Sequence, residues 1–198
     1  GNITSSSGTT VNNGGTLAGT GTVGALAMTS GSTLSPGLSP GTINTGSTTW
    51  SGAGNYNWQI FNATGAAGAG YDLLNITGTF DVTAASGFNI NLWSLSSITP
   101  DTNGDCLNFN NNNAQFWTLV QTSGGIVGFN AANFTIQVGA NNGTGGFSNA
   151  LAGGSFSVSV VGNALRLNFT PNLPPVVATG TDATLNEAGT FTQTGSFT

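Results

Sequence analysis

Apolar residues in the first part of the chain return at short, regular intervals with glycine-rich turns between them. Val11 and Leu17 enclose a polar stretch, and Met28 and Leu34 enclose a similar stretch 17 positions later. Each unit is too short to bury its own apolar face, so it must stack on further copies of itself. Glycine suits the tight corners because it adopts positive φ angles without strain. This pattern predicts the coils of a β-solenoid.

In the later part of the chain, apolar and polar positions alternate over longer stretches. Phe88, Ile90 and Leu92 fall on one face of such a stretch, while the intervening Asn residues fall on the other. Residues 156–160 and 165–169 alternate in the same way and flank a Gly-Asn turn, which predicts a β-hairpin. Because no stretch has the spacing of an amphipathic helix, we expect an all-β fold.

These patterns divide the chain into three parts. Residues 1–49 form the solenoid repeat coils, and residues 50–170 form a longer-stranded β body that continues the solenoid and ends in the hairpin. Residues 171–198 form a Pro-rich linker and an extended β tail, which is too short for a domain of its own. The alternative fold is a β-sandwich or jelly roll over residues 50–170.

The composition is unusual for its lack of charge. Charged residues make up 4% of the chain, where soluble domains carry roughly 25%. With twelve Phe and four Trp, the chain still has enough apolar side chains for a core. Charged residues on edge strands normally prevent strands of different molecules from pairing. Their scarcity predicts a structural protein that associates with itself, as a homo-oligomer or a filament.

The same scarcity excludes several function classes. With one Lys or Arg in all, the chain cannot neutralise phosphates, which excludes nucleic acids and anionic membrane surfaces as partners. No apolar run approaches the roughly 20 residues that a membrane span needs, so we expect no membrane insertion. The absence of His and the lack of Lys remove imidazole bases, Schiff bases and most zinc ligands. We therefore expect no enzyme.

Two motifs that could carry chemistry have a plainer interpretation. A paired-carboxylate glycosidase would have to use Asp72 and Asp81, but both occupy common structural positions beside strands. A polysaccharide-active β-helix enzyme is thus a remote alternative. Residues 19–24 match the dinucleotide-binding pattern of glycines, yet no helix pattern and no acidic partner follow, so no cofactor is expected.

One segment leaves a metal site open. Asp101, Asn103 and Asp105 place oxygen ligands at alternate positions, as in the first half of a calcium loop. The Gly and Glu that complete an EF-hand loop are replaced by Cys106 and Asn112. The segment is therefore either a polar turn or a weak calcium site.

A set of glycine-containing and aromatic segments consists of residues 14–23, 31–43, 56–58, 71–78, 153–156 and 162–165. These segments resemble the autotransporter-associated β-strand repeat, also called the passenger-associated transport repeat, of bacterial surface proteins. The resemblance implies a right-handed parallel β-helix, secretion to the cell surface or the exterior, and a role in display or adhesion. An adhesin or carbohydrate-binding stalk, with exposed Trp or Tyr side chains stacking on surface glycans, is the alternative function.

The end of the chain resembles a different module. Residues 174–197 look like the opening strands of a polycystic-kidney-disease-type immunoglobulin-like domain. The same residues are candidates for strand donation to a neighbouring copy, because they combine β-prone sequence with apolar side chains that seek burial. The side chains expected to mediate this assembly are Val176, Val177, Phe191 and Phe197.

Overall fold

A computed structural model describes residues 2–3, 8–37 and 39–173, whose regular structure is almost entirely β-strand. The all-β expectation is confirmed. A 3-10 helix, Ala131–Asn133, precedes β16, and the described ranges contain no helix long and apolar enough to cross a membrane. The strands are β1 (Asn2–Ile3), β2 (Thr9–Val11), β3 (Thr16–Gly19), β4 (Gly21–Val23), β5 (Leu26–Met28), β6 (Thr33–Pro36), β7 (Thr42–Thr45), β8 (Thr48–Trp50), β9 (Asn55–Ile60), β10 (Leu73–Ile76), β11 (Phe80–Asp81), β12 (Phe88–Ile98), β13 (Asp101–Asn103), β14 (Gln115–Thr122), β15 (Ile126–Val127), β16 (Phe134–Gln137), β17 (Ser155–Val161) and β18 (Ala164–Thr170).

The described strands form three sheets, named A, B and C here. Sheet A has the order β1-β4-β7-β10-β14-β18-β17, sheet B the order β15-β11-β8-β5-β2, and sheet C the order β13-β12-β9-β6-β3 with β16 also on β12. The chain visits A, B and C in rotation, and each such pass is called a circuit. Four circuits run from β1 to β12, and β14 to β16 make a fifth. Strands of successive circuits pair in parallel.

The sequence repeat equals the register between the first circuits. Val11 pairs with Met28 in sheet B, and Leu17 pairs with Leu34 in sheet C, so both pairs keep the offset of 17. In the next circuit Trp50 pairs with Met28. Apolar side chains of successive circuits therefore form continuous rows, as expected when in-register parallel strands share one buried face.

The core lies between the three sheets and is rich in aromatic rings. Trp50 stacks on Phe88 at a centroid distance of 4.3 Å and meets Phe80 edge-on at 4.8 Å. Tyr56 is fully buried beside them, and its hydroxyl donates to the Leu119 carbonyl at 3.0 Å. Offset and edge-on ring pairs of this kind stabilise a core beyond simple area burial.

An antiparallel hairpin lies at one edge of sheet A. Strands β17 and β18 pair through the predicted Gly-Asn turn at residues 162–163, and β18 also pairs antiparallel with β14. Leu165, Leu167 and Phe169 on β18 are buried in the core.

The three sheets run on across the predicted boundary between residues 49 and 50. This parallel continuity differs from the antiparallel two-sheet packing that a sandwich over residues 50–170 requires. Residues 174–198 of the predicted tail lie outside the described residues, so the strand donation and the immunoglobulin-like module remain predictions.

The described circuits lengthen mainly at one corner. Where the structure describes the whole connection, those from sheet A to B have two or three residues (24–25, 46–47, 77–79, 123–125), and those from B to C have four to six (12–15, 29–32, 51–54, 82–87, 128–133). The connection from C to A grows from circuit to circuit, and it is called the long corner here. After a single residue (20) in the first circuit, its segments are residues 37–41, 61–72, 99–114 and 138–154.

Candidate functional site

The segments of the long corner pack against one another rather than projecting separately. The Ala63 N–H donates to the Leu107 carbonyl at 2.8 Å, and the Leu107 N–H donates to Phe61 at 2.8 Å. The Asn111 side chain reaches the Ala150 carbonyl of the next segment at 2.9 Å. These hydrogen bonds join the long-corner segments 61–72, 99–114 and 138–154, which thereby form one continuous surface.

A cleft of about 700 Å³ opens on this surface. Its volume falls within the roughly 300–1,000 Å³ of small-molecule sites. The walls are almost entirely neutral, with amide side chains in the majority, one carboxylate and one aromatic ring. The lining residues are Thr64, Asp105, Asn108, Phe109, Asn110, Asn111, Asn113, Gln115, Asn149 and Ala150.

Hydrogen bonds within the protein fix several of these amides. Asn149 bonds the Cys106 backbone twice, accepting from its N–H at 2.9 Å and donating to its carbonyl at 3.1 Å. The Asn108 amide donates to Asn62 Oδ1 at 2.9 Å, and Gln115 Oε1 accepts from the Asn110 N–H at 3.1 Å. In Asn108 and Gln115 one amide atom is committed, so the orientation of the other atom is set as well, whereas Asn149 uses both.

The aromatic ring of the cleft belongs to a buried cluster. Phe109 is half-buried, and its ring lies 4.9 Å from that of Phe169 and 5.1 Å from that of Phe147, both in edge-on geometry. Trp117 lies 6.3 Å away, and its indole N–H donates to the Ala63 carbonyl at 2.9 Å. The position of Phe109 is therefore held by the core beneath the cleft.

The three candidate calcium ligands point to different partners. Asp101 Oδ1 lies 2.5 Å from the Ser39 hydroxyl, and its Oδ2 accepts from the Gln59 side chain at 3.0 Å. Asn103 Oδ1 accepts from Ser148 at 3.2 Å, while Asp105 lines the cleft. Among the described residues there is no group of three or more His, Cys, Asp or Glu side chains placed to hold a metal ion.

Asp72 is a fully buried carboxylate at the end of the long-corner segment 61–72. Its Oδ1 accepts from the Gly41 N–H and its Oδ2 from the Gln59 N–H, both at 2.8 Å. Burial raises the pKa of Asp72 well above its ordinary value, against the effect of these two hydrogen bonds, and the nearby charge of Asp101 raises it further.

Asp81, the other candidate catalytic carboxylate, lies on β11 of sheet B. It accepts the Thr83 N–H at 2.9 Å, and this hydrogen bond lowers its pKa. Asp72 and Asp81 thus occupy different sheets and have different environments. The geometry gives each of them a local structural partner.

The remaining candidate residues lie at ordinary positions. Cys106 is buried, which raises the pKa of its thiol to about 12. The stretch that matches the dinucleotide pattern continues into β4 rather than a helix. All Trp and Tyr side chains lie in the described residues, and each is buried or half-buried, so the expected exposed Trp or Tyr is not found.

Sequence reasoning did not identify the cleft. Its one signal in the sequence is the run of amides at residues 108–113, in which Phe109 is the only non-amide residue. We compared the chain with family models, with curated proteins and with solved structures, and none of them matches it.

Proposed function

We propose that this chain is a structural building block of an extracellular bacterial fibre, sheath or surface layer. In this proposal it folds as a right-handed parallel β-helix, or β-solenoid, and copies associate through the edges of their sheets. The rotation of the chain through three sheets and the parallel pairing of successive circuits support the solenoid. The resemblance to the autotransporter-associated repeat supports the cell surface or the exterior as its location.

The observation that carries the proposal is the absence of charge on three strands at sheet edges, although β13 at an edge of sheet C carries Asp101. Strands β2 and β15 at the two edges of sheet B, and β17 at an edge of sheet A, contain no charged side chain. Natural proteins place charges, above all Lys, on such edges to prevent pairing with other molecules. Strand β17 alternates Ser with Phe and Val over seven residues, which makes it the longest of these three edges.

The first test places a charge on that edge. Ser157 is exposed in the middle of β17, so Ser157→Lys adds a charge there without disturbing the core. Ser86→Lys adds the same charge at an exposed corner position away from any sheet edge and serves as the matched control. We expect sedimentation velocity and negative-stain images to show assemblies for the parent and Ser86→Lys, and fewer or none for Ser157→Lys.

A parent protein that stays monomeric at high concentration would contradict the proposal as a whole. Equal assembly of both Lys variants would exclude β17 as the contact. A deletion of residues 176–198 tests the tail separately: unchanged assembly would show that Val176, Val177, Phe191 and Phe197 do not contribute.

A further inference from the structure

We propose that the cleft at the long corner binds a neutral saccharide. This inference goes beyond the structural role proposed above and does not depend on it. It rests on where the cleft lies in the fold, which groups line it, and which charges are missing from it.

The position of the cleft is that of a binding surface grafted on a repetitive scaffold. The connections between sheets A and B, and between B and C, keep nearly constant lengths, whereas every long insertion falls at the corner between C and A. In repeat architectures, insertions that collect on one face commonly build the binding face. Loops held by a rigid scaffold are also where binding residues concentrate.

The polar groups of the cleft suit a ligand rich in hydroxyls. Within the described residues, several lining side chains keep hydrogen-bonding atoms that bind no protein partner. The donors are Asn110 Nδ2, Gln115 Nε2 and the Asn113 amide, and the acceptors are Asn108 Oδ1, Asn111 Oδ1 and the Asp105 carboxylate. A sugar hydroxyl donates and accepts at once, so it can use both kinds of group.

The fixed geometry lowers the entropy cost of binding. Asn108, Asn111 and Gln115 each use one amide atom in a bond to the protein, so their free atoms are already oriented before a ligand arrives. Preorganised groups of this kind give up less side-chain freedom on binding. The cleft also offers apolar surface at the half-buried Phe109, whose ring is held by Phe147 and Phe169. The C–H groups of a pyranose can pack on apolar surface of this kind.

The one charge of the cleft disfavours anionic ligands. Asp105 is the one charged residue that lines it, and a carboxylate repels phosphate, sulfate and uronate groups. The chain's one cation, Arg166, lies over the ring of Phe116 at 4.4 Å and is not part of the lining. A neutral saccharide can bring two hydroxyls to Asp105 without this penalty.

The test is calorimetric titration of the monomeric fraction, so that its result is independent of assembly. The probes are cellohexaose, maltohexaose, mannohexaose and chitohexaose, with hexagalacturonate as the anionic control. Asn113→Ala and Asp105→Ala each remove a cleft group that makes no side-chain bond within the described residues, so both variants are expected to fold. Asn12→Ala removes an exposed Asn from the first circuit and is the matched control.

We expect at least one neutral hexasaccharide to bind the parent and Asn12→Ala equally. Each cleft variant should weaken that binding by about tenfold, the effect of losing one well-formed hydrogen bond. Three results would each overturn the proposal: no binding of any neutral probe at millimolar concentration, binding of hexagalacturonate alone, or equal affinities for the parent and both cleft variants.

Discussion

At the scale of single residues, Asp72 shows how the fold handles a charge in its interior. The Asp72 carboxylate accepts hydrogen bonds from the backbone N–H groups of Gly41 and Gln59. The backbone carbonyl of Asp72 accepts the indole N–H of Trp58 at 2.8 Å. Asp72 therefore links two long-corner segments, 37–41 and 61–72, to strand β9 of sheet C. These bonds compensate only in part for the loss of water, since the net effect of the site is a raised pKa.

The raised pKa of Asp72 predicts an unusual dependence of stability on pH. Because the folded pKa lies above the unfolded value, the folded state binds more protons between the two. The free energy of unfolding should therefore rise as the pH falls through the folded pKa towards the ordinary carboxyl value of about 4, and fall as the pH rises through the folded pKa. Urea denaturation at a series of pH values measures this slope.

Asp72→Asn is the variant that isolates the effect, because an amide does not titrate. The slope should flatten in this variant, and at pH about 4 the variant should be less stable by about 1–3 kcal/mol. The amide nitrogen has no lone pair to accept one of the two N–H groups, whereas the hydroxyl oxygen of the protonated acid keeps one. Asp81→Asn is the control, since the pKa of Asp81 is lowered and its contribution is lost only below the window of Asp72. A slope that survives in Asp72→Asn would assign the effect to another group.

At the scale of elements, the first segment of the long corner depends on a glycine. Gly37 has φ +88°, and a Cβ there would lie 1.8 Å from the Ser39 carbonyl oxygen and 3.0 Å from Asp72 Oδ1. Gly14 has a similar φ of +76°, but a Cβ there would meet nothing within 4 Å. The two positions thus share the backbone strain and differ in packing.

We expect Gly14→Ala to lower the free energy of unfolding by about 1 kcal/mol, from the positive φ alone. Gly37→Ala should cost about 1–3 kcal/mol more, because the corner must open around the added methyl group. Chemical denaturation of both variants beside the parent gives the difference directly. Equal losses would mean that the corner adapts to the methyl group without cost.

The elements also show what the sequence could predict. Three features could be predicted from the sequence because each depends on residues close along the chain. They are the offset of 17 between Leu17 and Leu34, the alternation at β12 and the hairpin turn. The burial of Asn91 could not be predicted from the sequence, although this residue falls on the polar face of β12 as expected. It is covered by Asn141, which donates to its side-chain oxygen at 3.0 Å from 50 positions further along the chain.

At the scale of the whole molecule, calcium should leave thermal stability unchanged. The oxygens of Asp101 and Asn103 already accept hydrogen bonds from Ser39, Gln59 and Ser148. Binding would have to break these bonds, whereas a ligand that binds the folded state alone must raise stability. We expect the same melting temperature in calcium and in chelator. A rise of several degrees in calcium, absent in Asp105→Asn, would instead support the metal site.

The candidate cleft illustrates why the sequence alone does not reveal sites of this kind. The sequence offers Asp105 as a candidate ligand of a weak calcium site, and the amides that follow it are conspicuous, yet the cleft also needs Thr64 and Asn149. Those residues come from other circuits, and their approach depends on the pairing of Leu107 with Asn62 and on the two bonds of Asn149 to Cys106. Such a meeting follows from topology rather than from any local pattern.

Growth at one corner has a consequence for loop closure. The register between circuits rises from 17 for Leu17 and Leu34 to 46 for Ile90 and Ile136. Doubling the length of a flexible loop adds only about 0.6 kcal/mol to the entropy of closing it. That increment is smaller than the stabilisation of about 1 kcal/mol from a single typical hydrogen bond. The segments of the long corner can therefore lengthen at little cost in free energy, provided that the short connections from sheet A to B and from B to C keep the strands in register.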